Sequence, residues 1–279
     1  MKKIGAILSP VDERDFPICM AYEDKPMDIP ESFTTSFQPP YAKQISGNCV
    51  AQTIANIMEV MYYNMVHKHE DFSVGFVYGN RTESEYDGEG MTGRMACNHL
   101  VKDGNVKSAV FDNPCEVPGI IRAVNKFKEQ FPNWKDFTYV PMRYVRTTKT
   151  NEVKKFIMKY NIPVMAVVKM RKFSVQSGYH AMALYGWNGD IAIMQNSWGD
   201  DKMPIVELPF DDIEEFWLIV PFEIANFTDL LPKHWAYDSI IKCVDEKLLM
   251  GYPDNTFAPD QGLTRAELAV LIYRMMKGE

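Results

Sequence analysis

A cysteine at the start of a long apolar helix pattern is the feature that most limits how this chain can fold. Residues 44–52 read Gln-Ile-Ser-Gly-Asn-Cys-Val-Ala-Gln, so a Gly-Asn turn pair leads directly into Cys49. From Val50 onward, apolar residues recur at helical spacing. The pattern predicts a buried helix over 49–66 with Cys49 in its first turn, where unpaired backbone N–H groups and the helix dipole favour a thiolate.

A second chemical group lies far downstream, on a predicted β-hairpin. Residues 178–187 are typical of a strand that carries His180, the following Asn-Gly pair predicts a tight turn, and a return strand leads into Asn196. For Cys49 alone, a small core residue at a helix start would be the better interpretation. A helix-borne Cys, a strand-borne His and an Asn on the next strand, however, are together the parts of a thiolate–imidazolium nucleophile.

These motifs resemble those of the papain-like cysteine peptidases, and more closely the bacterial branch of that family. The resemblance covers most of residues 29–222, and its most specific part is Asn-Ser-Trp-Gly at 196–199, sixteen positions after the histidine. It implies an α+β fold with two lobes, a helical lobe followed by a β-barrel-like lobe, and a cleft between them.

The resemblance also implies a role for each matching residue. Four are expected to carry the chemistry: the nucleophile Cys49, the proton carrier His180, the orienting amide Asn196 and the oxyanion donor Gln44. Trp198 is expected to shield the His–Asn hydrogen bond from water, and Gly178 is expected to lie at the substrate cleft. No cofactor or metal is expected, and the substrate would be a peptide or protein.

Two other functional hypotheses stay open beside the active endopeptidase. The same residues are compatible with a catalytically idle papain fold used for binding or assembly, or with a thiol acyl-transferase that uses the same triad. Residues 1–28 precede the peptidase-like region and are either a remnant pro-segment lying across the cleft or an extension along the surface. Their short length favours the surface extension.

Charge and cysteine spacing exclude several other classes of protein. The net charge is −7 and no Lys/Arg-rich run occurs among the 279 residues, so a nucleic-acid partner is not expected. The apolar run near Met1 is too short for a signal-peptide core, and no stretch is long enough to span a membrane. The spacing of the five cysteines fits neither a disulfide framework nor a zinc motif, and it leaves open the pairing of Cys19, Cys97, Cys115 and Cys243.

Two further groups of possible metal ligands are interpreted as ordinary structural residues. His67 and His69 end the predicted Cys49 helix, and with no matching cysteine or carboxylate cluster nearby a solvated helix end is the favoured interpretation. Cys97 and His99 lie in a second predicted helix and are interpreted as packing residues.

The sequence changes character near residue 222, and residues 227–279 resemble one S-layer homology module. Helices are predicted over 233–247 and 265–276, with Thr264 and Glu267 as a capping box at the second. The resemblance implies three modules packed together on an anionic cell-wall polysaccharide, with Arg265 facing the sugar or else paired with a carboxylate.

A single module predicts one of two arrangements, because about fifty residues provide only a thin core. Either three chains assemble through it into a homotrimer, or it docks on the peptidase lobe. The expected organisation is an extension over 1–28, a peptidase domain over 29–222 and the module over 227–279. The module favours an extracellular or cell-envelope location, whereas no signal peptide is recognised in the sequence.

Overall fold

The computed structural model describes residues 6–277, except for 11–26, 83–84, 86–87, 113–117, 142, 175–176, 198–203, 222–226, 228, 231–233, 246–247, 251 and 253–255. The chain divides into two compact units, one of Met1–Asn64 with Lys68–Pro221 and the other of Met65–His67 with Phe222–Glu279. Among the described residues, no helix has both the length and the apolar character needed to cross a membrane.

The first unit begins with short strands and a helical region and continues into a large sheet. Its α-helices are α1 (Cys49–Val66), α2 (Val74–Gly79), α3 (Gly93–Asp103), α4 (Gly119–Gln130) and α5 (Thr150–Tyr160). Its early strands are β1 (Ala6–Ile7), β2 (Ser32–Thr34), β3 (Met91–Thr92), β4 (Asn105–Val106) and β5 (Thr138–Tyr139). The later strands are β6 (Arg143–Thr147), β7 (Val164–Lys169), β8 (Tyr179–Asn188), β9 (Ile191–Gln195), β10 (Ile205–Pro209) and β11 (Ile213–Val220).

Helix α1 is the most deeply buried element of the first unit. Every residue from Cys49 to Tyr62 is buried, polar residues included. Because a buried polar group must be hydrogen-bonded, the helix can be accommodated only where partners exist for these side chains. The Thr53 hydroxyl, for example, donates to the Cys49 carbonyl at 2.9 Å.

Strand β8 is the centre of an antiparallel sheet with the order β10-β9-β8-β7-β11-β6. It pairs with β7, which places His180 opposite Val168, and with β9 through a bulge near Gly186. The short strands β1 and β2 also pair with β8. A side chain at Gly186 would come within 2.1 Å of the Phe33 carbonyl oxygen, so β2 can approach β8 only at a glycine.

Most predicted elements are present, with differences at their ends. The Cys49 helix has the predicted bounds, 49–66. The β8–β9 turn lies one residue later than predicted, on Gly189 and Asp190, and Gly189 has a φ of 58°. Helix α5 begins at Thr150, and the residue at its cap position, Lys149, makes no side-chain capping bond.

The second unit contains two α-helices, α6 (Tyr237–Asp245) and α7 (Arg265–Lys277). Its buried core consists of Leu230, Tyr237, Ile240 and Ile241. The predicted capping box of α7 is present: the Glu267 N–H donates to the Thr264 hydroxyl at 3.2 Å, and the Thr264 N–H donates to the Glu267 carboxylate at 2.8 Å. Helix α7 leaves several apolar side chains exposed, namely Leu268, Val270, Ile272, Tyr273, Met275 and Met276.

A buried ion pair connects the sheet to the segment after β1. The fully buried Glu215 carboxylate accepts a 2.8 Å hydrogen bond from Nε of Arg146. Its other oxygen accepts from the Ser9 N–H at 3.4 Å, and the Ser9 carbonyl accepts from Nη2 of Arg146 at 3.3 Å. This arrangement fixes the chain that leads out of β1 against strands β6 and β11.

We predict that the Arg146→Met substitution lowers the free energy of unfolding by about 3–5 kcal/mol, because it leaves the Glu215 charge buried without its cation. The double substitution Arg146→Met with Glu215→Leu should recover a large part of that loss. Lys169→Met, which breaks the exposed Lys169–Glu214 pair, is the matched control and should change stability very little. Urea unfolding measures all three, and equal losses in the single and double variants would contradict the prediction.

Candidate active site

Cys49 is the first residue of α1, and its side chain is completely buried. Backbone groups of Ala181, Val50 and Ala6 form hydrogen bonds with its sulfur. Ala181 follows His180 on β8, so the thiol at the helix start lies beside the strand that carries the histidine. The thiol therefore contacts the backbone of β8 one residue after His180, although Cys49 and His180 are 131 positions apart in the sequence.

His180 is buried and is oriented by the amide of Asn196. Its Nε2 lies 2.9 Å from Oδ1 of Asn196. Because the amide oxygen can only accept, this contact places the proton of the neutral ring on Nε2 and leaves the lone pair on Nδ1. Nδ1 is therefore the acceptor nitrogen of the neutral ring, the atom to which a thiol proton could move.

A chain of buried amides connects the cysteine helix to the asparagine strand. Nε2 of Gln52 donates to Oδ1 of Asn56 at 3.4 Å, and Nδ2 of Asn56 donates to Oε1 of Gln195 at 3.4 Å. Nε2 of Gln195 donates in turn to the Pro39 carbonyl at 3.0 Å. Since Asn196 directly follows Gln195, these bonds fix the position of α1 relative to Asn196. Sequence reasoning missed them, because Gln52 and Asn56 occupy ordinary helix positions.

Gln44 lies at the same end of the site and is held by the segment after Asn196. Its backbone N–H donates to the Ser197 carbonyl at 2.7 Å, and its Oε1 accepts from the Ser197 hydroxyl at 2.9 Å. One N–H of its amide donates to the Ser46 carbonyl at 2.9 Å. The role predicted for Gln44 as an oxyanion donor stays a prediction.

Strand β1 lies directly over the thiol. Ala6 pairs with Met91 of β3 in parallel and with Tyr179 of β8 in antiparallel fashion. Its backbone also forms a hydrogen bond with the Cys49 sulfur. Ala6 itself is buried. The interpretation of this part of the extension as a surface segment is therefore wrong. Strand β1 pairs with both β3 and β8, and the sequence gives no sign that these two strands are neighbours.

Two buried side chains hold β3, the strand that pairs with β1 in parallel. The Tyr78 hydroxyl accepts a 3.1 Å hydrogen bond from the Gly90 N–H, and Nη1 of Arg81 donates to the Gly90 carbonyl. Arg81 is fully buried and also stacks on the Tyr78 ring, with 4.0 Å between its guanidinium carbon and the ring centroid. Gly90 directly precedes Met91, so this pair determines where β3 presents its backbone.

The roles predicted for Gly178, Trp198 and Arg265 stay predictions. Gly178 directly precedes β8, is exposed, and has a φ of 118°, a conformation that favours glycine. Trp198 lies outside the described residues. Arg265 is the exposed first residue of α7 in the second unit.

Comparison with solved structures identifies the fold of the first unit. The cysteine protease xylellain from Xylella fastidiosa superposes with a TM-score of 0.60 at 18% identity, covering 80% of this chain and 97% of that chain. The proCathepsin B S9 of Trypanosoma congolense gives 0.59 at 14% identity, over 78% and 86% of the two chains. Cwp84, a surface layer associated protein of Clostridium difficile, gives 0.51 at 14% identity, over 69% and 52%.

Sequence comparison identifies the second unit. The S-layer homology domain family matches residues 226–269. The cellulosome-anchoring protein of Acetivibrio thermocellus is 43% identical over 52 residues, which are 19% of this chain and 12% of that protein. The outer membrane protein SlpA of Thermus thermophilus is 35% identical over 60 residues, 22% of this chain and 6% of that protein. This chain thus matches only a small part of the length of these curated relatives.

The chain combines a papain-like fold with an S-layer homology domain. In the papain-like unit, burial determines the charge state of the two candidate catalytic groups. Burial raises the pKa of the Cys49 thiol to about 11, although backbone hydrogen bonds, above all that with Ala181, lower it in part. Burial also lowers the pKa of His180 to about 4, against the opposing effect of its hydrogen bond with Asn196. At neutral pH, with β1 in place, the thiol and the imidazole are therefore both uncharged.

These two pKa shifts predict how the stability of the papain-like unit varies with pH. The pKa of His180 falls from 6.5 to about 4 on folding, so the unfolded state binds more protons in that window and stability falls as the pH falls through it. The pKa of Cys49 rises from 9.0 to about 11, so stability falls as the pH rises through that range. On the acid limb, set by His180, and on the alkaline limb, set by Cys49, the free energy of unfolding changes by at most about 1.4 kcal/mol per pH unit.

Urea unfolding of the full chain at a series of pH values measures both limbs. His180→Gln should flatten the acid limb, and Cys49→Ala should flatten the alkaline limb. The neutral state of these groups in the folded chain would be contradicted if His180→Gln kept the acid pH dependence of the wild type and Cys49→Ala kept its alkaline pH dependence.

Proposed function

We propose that this chain is a cysteine endopeptidase in which Cys49, His180 and Asn196 form the catalytic triad. The observation that carries the proposal is the 2.9 Å contact between Nε2 of His180 and Oδ1 of Asn196, beside a thiol at a helix start. This contact leaves Nδ1 as the nitrogen that accepts the thiol proton, and the first turn of α1 stabilises the resulting thiolate.

The proposed reaction follows from these positions. The Cys49 proton moves to Nδ1 of His180, and the thiolate attacks the scissile carbonyl carbon. The developing oxyanion receives hydrogen bonds from the Cys49 backbone N–H and the Gln44 amide. His180 then protonates the leaving amine, and water hydrolyses the thioester to release the acid and restore the thiol. Asn196 orients the ring throughout, and Trp198 is proposed to keep water from the His180–Asn196 bond.

We further propose that the chain described here is the closed form of the enzyme. Peptides are commonly bound as an added strand on an exposed sheet edge, and β1 occupies such a position between β3 and β8, over the thiol. A substrate would need the same backbone groups, near Gly178 and Met91. Displacement of β1 by substrate or by cleavage would return water to Cys49 and His180, which favours the charged pair.

The test uses the full chain and an epoxysuccinyl thiol inhibitor, with intact mass as the readout at pH 6. Ordinary thiols react slowly there, because they are almost entirely protonated. Ala6→Arg places a charge that the buried site cannot accommodate, so β1 should leave. We expect this variant to form a single adduct at least about tenfold faster than the wild type. Ala6→Gly, which keeps the site uncharged, is the matched control and should react like the wild type.

Different outcomes of this experiment would contradict the catalytic triad and the closed form. If Ala6→Arg forms no adduct and cleaves no peptide from a mixed-sequence library, the endopeptidase proposal is wrong and the chain is an idle papain fold. If wild type and Ala6→Arg react equally fast at Cys49, the triad stands and the closed form is wrong. The adduct should be absent when Cys49→Ala is added to Ala6→Arg.

For the S-layer homology unit we propose attachment to an anionic cell-wall polysaccharide, and hence a location at the cell envelope. The relatives that support it are named as surface and anchoring proteins. Arg265 is exposed at the start of α7, and Trp235 is 91% exposed, so a cation and an apolar ring are both accessible in this unit. Arg265 is proposed to contact the polysaccharide.

We also propose that the S-layer homology unit associates with two further copies of this chain through α7. A helix in water with half-exposed Leu268, Val270 and Ile272 lacks the apolar partner that its sequence requires. A second and a third copy would supply the same surface. The proposed assembly is therefore a homotrimer.

Analytical ultracentrifugation of the full chain tests the trimer. We expect three chain masses for the wild type and one for Ile272→Glu, because a carboxylate in the packed α7 surface is costly to bury. Ala266→Glu changes an exposed position in the first turn of the same helix, where an acidic residue is favourable, and should stay trimeric. A wild-type monomer would refute the proposal.

A further inference from the structure

Three side chains with metal-binding atoms converge near the middle of α1, away from the thiol. Glu59 lies on α1, and His69 and Asp71 lie on the loop that follows this helix. One ring nitrogen, Nε2 of His69, is 3.2 Å from Oε2 of Glu59 and 3.6 Å from Oδ1 of Asp71. The three donor atoms all lie within 4.8 Å of one another.

We infer that Glu59, His69 and Asp71 bind one divalent transition-metal ion of the Zn²⁺ type. In a tetrahedral zinc site with bonds of 2.0–2.2 Å, neighbouring donor atoms are roughly 3.4 Å apart. The two distances from Nε2, 3.2 and 3.6 Å, lie on either side of this value. Asp71 is 75% exposed, so its carboxylate can turn to bring the third donor onto the ion.

The donor set also has the chemistry of such a site. One imidazole nitrogen and two carboxylate oxygens suit zinc and related first-row ions, whereas calcium takes six to eight oxygen ligands. Two carboxylates facing a single imidazole leave negative charge that a divalent cation would neutralise. The side-chain exposure rises from 8% at Glu59 through 28% at His69 to the exposed Asp71, which gives an ion a route from solvent.

Backbone contacts hold these ligands in place. The Phe72 N–H donates to Oε1 of Glu59 at 3.3 Å, so Oε2 is directed towards His69. The Asp71 carbonyl accepts from the Ser108 N–H at 2.8 Å, and Phe72 forms a β-bridge with Lys107. Orientation of first ligands by such secondary contacts is what metal sites generally require.

A second histidine with two acidic neighbours shows why the geometry at His69 is distinctive. His99 lies 3.0 Å from Glu85 through Nε2 and 4.0 Å from Asp103 through Nδ1. Its carboxylates therefore lie on opposite sides of the ring and cannot share one ion. At His69 both carboxylates face the same nitrogen.

The sequence did not reveal this site, and the interpretation of His69 as part of a solvated helix end rested on the absence of nearby carboxylates. The structure corrects that premise. Glu59 is ten residues earlier, but the chain turns back after α1 and brings His69 to it. His67 does not take part in the cluster.

Zn²⁺ titration of the full chain by calorimetry at pH 7.5 tests the site. All proteins carry Cys49→Ala, so that the thiol beside His180 cannot bind the ion. We expect one saturable Zn²⁺ site whose affinity falls by at least about tenfold in His69→Gln and in Asp71→Asn. Ca²⁺ should bind far more weakly, and saturating Zn²⁺ should raise the thermal unfolding midpoint only where the site is intact.

His99→Gln is the matched control and should keep the affinity of the parent. Asp71→Asn changes an exposed side chain, so it remains informative even if His69→Gln disturbs the loop. Absence of saturable Zn²⁺ binding would overturn the inference. So would unchanged affinity in both ligand variants, or a loss in His99→Gln as large as in His69→Gln.

Discussion

The burial of α1 on all sides is the constraint on which the rest of the papain-like unit depends. A buried helix can carry polar side chains only where each finds a hydrogen-bond partner. Gln52 and Asn56 find theirs through Gln195 on β9, and Glu59 finds its own at the Phe72 N–H and His69. These partners lie on different segments, so satisfying them fixes both the rotation and the depth of the helix. The position of Cys49 relative to Asn196 follows from that.

The same burial explains why the thiol and imidazole are uncharged. Removing water from a thiol and an imidazole disfavours both ionised forms, and the hydrogen bonds with Ala181 and Asn196 offset this effect only in part. Strand β1 contributes to this burial through Ala6, which contacts the sulfur. In the proposed closed form, the covered site and the neutral pair therefore have the same cause, the burial of the two side chains. A form without β1 would have water and helix dipole acting together in favour of the ion pair.

How much the sequence predicts depends on how local the interaction is. The Cys49 helix, the β8–β9 hairpin and the Thr264 capping box are encoded by residues within a few positions of each other, and each is present. The pairing of Ala6 with Met91 and Tyr179 joins three distant segments through backbone atoms. Since every residue except proline has the same backbone groups, no side-chain pattern announces such a pairing. The Glu59–His69 contact was missed for a related reason. It depends on where the chain reverses direction after α1, and no periodic sequence pattern predicts that reversal.

One helix thus carries the proposed catalytic group at its start and the inferred metal ligand farther along. Ten residues separate Cys49 from Glu59, roughly 15 Å along the helix axis. That distance exceeds the screening length of about 8 Å at physiological ionic strength, although buried charges are screened less than exposed ones. An ion at Glu59 would therefore influence Cys49 less through its field than through the helix and loop that it holds together. The inferred metal site and the proposed catalytic site share the burial of α1 as their physical basis, while their chemistry is separate.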